Sequence, residues 1–219
     1  MKRVIATLLM LLFFGSISSQ MNMSGQLSYM HFLGDTKLKH FGGGLKGEFE
    51  YNEWVGIYGG FNLYSKADYT GIVYAEAWGP GTQPEVAEIP TPSSVFFMQG
   101  FVGTRIYFHG ELEADARGGF GAYGIGELSL LFGQAKSVVS SEGYDVAYNV
   151  PITGNVKGSF INYVGSIGVG IEKPLKKIML FADAKFNIRI NEANTYTVTT
   201  IIPFGFSYFM GVRYSFAAY

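Results

Sequence analysis

Towards the end of the chain the even positions read Tyr208, Met210, Val212, Tyr214 and Phe216, all large and apolar. Between them stand Ser207, Gly211, Arg213 and Ser215, small or charged, with Phe209 the one misfit. A side-chain period of two marks a β-strand with one apolar and one polar face. A strand that closes a soluble core turns its small and charged residues to water. An arginine held among small residues, opposite a row of aromatics, suits a barrel wall that shows the aromatics to lipid and packs the charge inside.

Seven further segments alternate in the same way. Ser24 to Leu33 sets Leu27, Tyr29 and Leu33 against Gln26, Ser28 and Met30, and Gly42 to Tyr51 sets Leu45, Phe49 and Tyr51 against Lys46, Glu48 and Glu50. Trp54 to Tyr64 opposes Val55, Ile57, Phe61 and Leu63 to Gly56, Tyr58, Gly60 and Asn62. Val95 to Phe108 offers Phe96, Met98, Val102, Ile106 and Phe108 to lipid, with Gln99, Gly103, Arg105, Phe97, Phe101 and Tyr107 opposite. The fifth, from about Leu112 to Leu130, is irregular: Glu113, Asp115, Arg117, Gly119 and Gly121 share a face on which Tyr123 and Ile125 follow, which predicts a bulge or a change of phase. Ser159 to Glu172 and Lys177 to Ile190 alternate cleanly, and Phe204 to Phe216 is the eighth. Each reaches the roughly 9–11 residues that a tilted strand needs to cross a bilayer.

The connections alternate too. Those after the second, fourth and sixth segments are short: Asn52-Glu53, His109-Gly110-Glu111 and Lys173 to Lys176. Those after the odd segments are longer, above all 65–94, which carries Pro80, Pro84, Pro90 and Pro92, and 131–158. Parts of the latter, Ser137 to Ser140 and Tyr144 to Val150, are strand-like, so the fifth and sixth strands are expected to protrude as a hairpin with an open edge. Short turns on one side and long loops on the other are the habit of bacterial outer-membrane barrels, with both termini periplasmic. The expected fold is all-β: an eight-stranded antiparallel up-and-down transmembrane β-barrel with short periplasmic turns and long extracellular loops.

At the other end, Lys2 and Arg3 precede an apolar run from Val4 to Phe14 and then small residues to Gln20. That three-part pattern predicts a cleaved signal peptide over 1–20 and a barrel domain over 21–219. The run falls short of the roughly 20 apolar residues of a membrane helix. Removing Lys2 and Arg3 takes the net charge from −1 to −3, which points away from nucleic acid as a partner. With no cysteine, disulfides and thiolate metal sites are excluded. Glycine, at 30 of 219 residues, is well above the usual share of about 7%, and charged residues, at 15%, fall below the usual 25% or so. An apolar protein without a long apolar run is what alternation produces.

The chain resembles the small eight-stranded outer-membrane barrels of OmpA/OmpX type, within the broad group of outer-membrane β-barrel domain proteins. The resemblance covers the whole mature chain in pattern, and its one local motif is Gly211-Val212-Arg213-Tyr214-Ser215-Phe216. It implies that Tyr208, Met210, Val212, Tyr214 and Phe216 form the C-terminal signal read by the barrel-assembly machinery. Ala217, Ala218 and Tyr219 follow that aromatic, where the family pattern ends on it.

If the polar faces point inward, the lumen holds Lys46, Glu48, Glu50, Arg105, Asp115, Arg117, Glu172, Asp183, Lys185, Arg189 and Arg213, with the two signs nearly balanced. A barrel of eight strands is only wide enough to be filled by side chains. The expectation is a plug of ion pairs, with a narrow passive pore as the alternative. Lipid-A-modifying catalysis would need a histidine with a serine or acidic partner near the outer leaflet. His31 and His40 flank the first outer loop with Asp35 between them, while His109 lies at a periplasmic turn. Gly42-Gly43-Gly44 precedes a strand and reads as a structural feature, and no cofactor or metal motif stands out. Tyr69, Tyr74 and Trp78, with Glu76, Glu85 and Glu88, make 65–94 the candidate surface-contact loop for an extracellular protein partner. The reading is a monomeric, non-enzymatic integral outer-membrane protein of a Gram-negative bacterium, surrounded by outer-membrane lipid and lipopolysaccharide. A secreted lipocalin-like binder of an apolar ligand is the other alternative.

Overall fold

The alternating segments become strands in a computed structural model, which describes residues 21–33, 38–52, 54–109, 119–175, 178–190 and 204–216. In chain order these are β1 (Met21–Phe32), β2 (Lys39–Asn52), β3 (Val55–Tyr64), β4 (Ala67–Ala77) and β5 (Val86–His109). There follow β6 (Gly121–Val139), β7 (Tyr148–Asn149), β8 (Gly154–Leu175), β9 (Ile178–Arg189) and β10 (Phe204–Ser215). Eight of them close a ring of antiparallel pairs in the order β3, β2, β1, β10, β9, β8, β6, β5, with β5 pairing back to β3. Closure removes every strand edge within the ring, which is how a sheet with an apolar outer face satisfies its backbone. β1 starts and β10 finishes at the same end, here called the terminal end.

The period-two pattern sorts side chains sharply. Outward positions such as Leu27, Val102, Leu128, Ile167 and Met210 are 55–67% exposed, whereas inward Arg105 and Arg213 are 0% and 1% exposed. Charge inside and hydrocarbon outside is the reverse of a water-soluble fold.

Two segments differ from the sequence expectation. The irregular fifth one begins, among the described residues, at Gly121 and runs to Val139 without a change of phase, with Gly121, Tyr123, Ile125 and Glu127 all inward. The irregularity sits instead on β5, where the register shifts between Tyr107 and His109. Gly110 and Glu111 of the short turn expected after β5 lie outside the described residues. Glu113, Asp115 and Arg117 lie outside the described residues.

The expected loop 65–94 is mostly a hairpin. β4 pairs with the first half of β5 from Ala67↔Val95 to Glu76↔Val86, leaving 78–85 as its tip. Pro90 and Pro92 lie in that half of β5, which has β4 on one side and is joined by β6 only from Ser93 onward. A strand that is locally an edge can lose an N–H without losing a ladder bond. The second protrusion is a hairpin as expected, β6 and β8 staying in register from Gly121↔Glu172 to Val139↔Gly154, but of the strand-like Tyr144 to Val150 only Tyr148 and Asn149 are strand. β7, in the connection between them, crosses to pair with the end of β4. Strands of 24, 19 and 22 residues (β5, β6, β8) therefore make one wall far taller than the 12 residues each of β9, β10 and β1.

Candidate functional site

Because every second residue of eight strands points into a narrow ring, the lumen is a stack of side-chain layers. Nearest the terminal end the layer is ionic. Arg213 on β10 donates through Nη1 to Glu48 Oε2 on β2 at 2.8 Å, and through Nη2 to Glu172 on β8 and to Tyr107 Oη at 3.3 Å. Arg105 on β5 faces the same carboxylates, with Nη1 3.1 Å from Glu48 Oε2 and 3.7 Å from Glu172 Oε2. Its Nη2 lies 3.4 Å from Asp183 Oδ2 on β9. Tyr123 Oη donates to Asp183 Oδ1 at 2.6 Å, and Lys46 Nζ stands 3.8 Å from the other oxygen. One step further in, Lys185 pairs with Glu127, which also accepts from Tyr58 Oη at 3.0 Å.

Aromatic rings complete the cages. Lys46 Nζ lies 4.2 Å from the Phe181 ring, Lys185 Nζ 4.4 Å from Phe209, and the Arg105 guanidinium 4.5 Å from Tyr123. A desolvated cation over an aromatic face gains about 2 kcal/mol. Phe209, the misfit of the last strand, is inward for this reason. Glycines leave the room: a Cβ on Gly103 would stand 2.6 Å from Tyr58 Oη, and one on Gly170 would overlap the Tyr123 ring. Lys46, Arg105, Lys185 and Arg213 against Glu48, Glu127, Glu172 and Asp183 make four buried cations to four buried anions.

Above the ions the lining is neutral and polar. Gln26 donates to Asn62 at 2.8 Å and Asn62 to Gln99 at 3.0 Å, while Ser166 donates to Asn187 at 2.7 Å across the barrel wall. At the far end an apolar layer fills the mouth, with Met30, Phe32, Val95, Phe97, Leu131 and Val164 buried together.

The structure gathers Glu48, Arg105, Glu172, Asp183, Lys185 and Arg213 in one cluster, but not Glu50 or Arg189. Glu50 accepts from Asn22 Nδ2 at 2.6 Å at the terminal end. Arg189 pairs in register with Val164 at the level of the apolar layer and is half-buried. Asp115 and Arg117 lie outside the described residues. Sequence reading missed Glu127, because Tyr123 and Ile125 before it looked like a broken phase. The unbroken parity of Gly121, Glu127 and Ser129 was the available signal. The apolar seal at the far mouth was missed as well, since inward apolar residues contradict a simple polar-inside rule.

Tyr69, Tyr74 and Trp78 do not form one surface. Tyr69 and Tyr74 have opposite parity on β4: Tyr69 packs inward against the apolar layer, while Tyr74 is exposed. Trp78 is exposed at the hairpin tip. Tyr208, Met210, Val212, Tyr214 and Phe216 all face outward along β10 and just past it. His40 is buried, with Nδ1 donating to the Ser65 carbonyl at 2.9 Å and its ring edge-on to Phe97 at 4.6 Å. Its Nε2 has no hydrogen-bond partner among the described residues, so no serine or carboxylate is positioned to make it a base. His31 stands beside Tyr29 at 6.5 Å on the outer wall, and Asp35 lies outside the described residues. Among the described residues no three acidic or histidine side chains are grouped as metal ligands.

No family model and no curated protein sequence matches this chain. Solved structures do. A major outer membrane protein from Thermus thermophilus superposes with a TM-score of 0.51 at 10% identity, over 91% of this chain and 100% of that one. The likeness is one of fold. The attachment invasion locus protein Ail of Yersinia pestis (TM-score 0.47, 13% identity, 90% of this chain and 97% of that) lies in the same range. So does Neisserial surface protein A (TM-score 0.43, 13% identity, with the same shares). The chain is an antiparallel up-and-down barrel similar to small outer-membrane barrels.

Proposed function

We propose that the protein is a monomeric integral outer-membrane barrel whose lumen is closed to solutes and whose role is structural or surface contact, without catalysis. The observation that supports it is the inside-out distribution of side chains. An apolar outer band surrounds fully buried arginines that are paired with carboxylates. A lipocalin-like binder would need an apolar ligand chamber at mid-barrel, where this lumen holds amides and ions. A conducting pore would need a hydrated path of one prevailing sign. Here a balanced ionic layer and an apolar seal stand in series.

On this reading residues 1–20 are a removed signal peptide and the terminal end is periplasmic. The outward row of β10 serves as the assembly signal, and the tall wall stands outside the cell. Folded transmembrane barrels resist SDS until heated, so the test is gel mobility of the outer-membrane fraction, boiled against unboiled, with planar-bilayer recording of the purified protein. A heat-dependent shift with no steady conductance is expected. A periplasmic protein without a shift, or a stable open channel, would overturn the reading.

A further inference from the structure

On the tall wall the outward apolar row is interrupted above Phe96 on β5, Phe132 on β6 and Ile161 on β8. The next outward residues are polar: Gln134 and Lys136 on β6, Ser159 and Lys157 on β8. Lys136 and Lys157 are direct cross-strand partners, and Ser94 of β5 is the partner of Lys136 on the other side. Side chains so paired have Cβ atoms about 5 Å apart, and two like charges there repel. Among the described residues neither lysine has an anionic partner, and Asp68, across Ser94 from Lys136, is held by Lys66 at 3.1 Å. Lys66, Lys136 and Lys157 line one groove of about 410 Å³, open to solvent, with Phe96 on its wall.

A groove with two unneutralised ammonium groups at its centre and hydrocarbon directly below fits an anion attached to an acyl chain. We propose that Lys136 and Lys157, with Lys66 at the rim, bind the phosphate of an outer-leaflet lipid whose chains lie against Phe96, Phe132 and Ile161. A phosphate monoester matches two ammonium groups in charge and in acceptor oxygens. It removes the repulsion between the lysines, which none of the described residues does. The apolar floor distinguishes it from a soluble anion, and long flexible lysine stems reach down to a headgroup at the boundary. This rests on the outer-membrane reading above.

The test is native mass spectrometry of the full mature chain in detergent, titrated with bisphosphorylated lipid A and with the same lipid stripped of its phosphates. Wild type should bind the phosphorylated lipid about tenfold more tightly. The double variant Lys136→Gln/Lys157→Gln should lose that preference while keeping the heat-dependent gel shift, and Lys39→Gln, on the short wall, should keep both. Equal preference in the double variant and wild type overturns the proposal. So does competition by inorganic phosphate at the concentration at which the lipid binds, or tighter binding of an acidic peptide or polysaccharide. If wild type itself shows no gel shift, the membrane reading fails, and this proposal fails with it.

Discussion

Arg213 and Glu48 stand 165 positions apart in the chain and meet in the lumen through a 2.8 Å hydrogen bond. The contact joins the last strand to the second and cannot form until the ring closes.

Replacing Arg213 with glutamine leaves Arg105 alone to face Glu48 and Glu172, one buried negative charge in excess. The expected loss is about 3–5 kcal/mol. It is read as a lowered urea midpoint of the refolded barrel and a lower temperature for its gel-mobility transition. Arg213→Lys should fall between, since one ammonium cannot reach both carboxylates and Tyr107 as a planar fork does.

The Lys185–Glu127 pair should behave as a unit. Lys185→Met or Glu127→Gln alone leaves an unpaired buried charge, whereas the double variant removes both. A double-mutant cycle in urea should give a coupling of about 1–3 kcal/mol. Strict additivity would show that the two side chains are independent.

Inward glycines should tolerate nothing larger, and outward ones should be permissive. At Gly170 a Cβ meets the Tyr123 ring and Asp183, while at Gly25 it meets nothing within 4 Å. Gly170→Val is expected to abolish the SDS-resistant form and Gly25→Ala to leave it intact, both visible on one gel.

The far-end seal is expected to contribute stability as well as closure. Phe97 touches His40 and Phe160 with ring centroids at 4.6 and 5.6 Å. Phe97→Ala should cost about 3–5 kcal/mol in unfolding experiments. It should still not conduct, because the ionic layer below it is intact.

The absence of native cysteine makes orientation simple to measure. Glu142, exposed in the connection between β6 and β8, should be labelled as cysteine by an impermeant maleimide on intact cells. Trp54, at the turn between β2 and β3, should be labelled as cysteine only after lysis. The reverse pattern would invert the barrel.

Strands whose outer face is uniformly apolar, such as Ile161 to Ile171 on β8, were legible because every outward position obeys the same rule. The lumen was less legible because it is a packed interior with its own layers. Tyr58, Tyr123 and Phe209 sit there under cations, and Met30, Phe32 and Phe97 seal one end, so apolar residues occur on both faces. Phase then looks broken where it is not, and Glu127 was lost in that way. The β4–β5 hairpin is hidden in the sequence because Pro90 and Pro92 resemble loop markers, whereas a one-sided strand accepts them.

The balance of four buried cations and four buried anions among the described residues has a consequence for inheritance. A change that deletes one charged side chain leaves its former partner's charge uncompensated in a buried site. The remedy must come from a different strand, β10 with β2 or β8, β6 with β9. Sequences descended from a common ancestor with this one should gain and lose these residues in opposite-sign pairs, so that a relative lacking Arg213 also lacks Glu48 or Glu172.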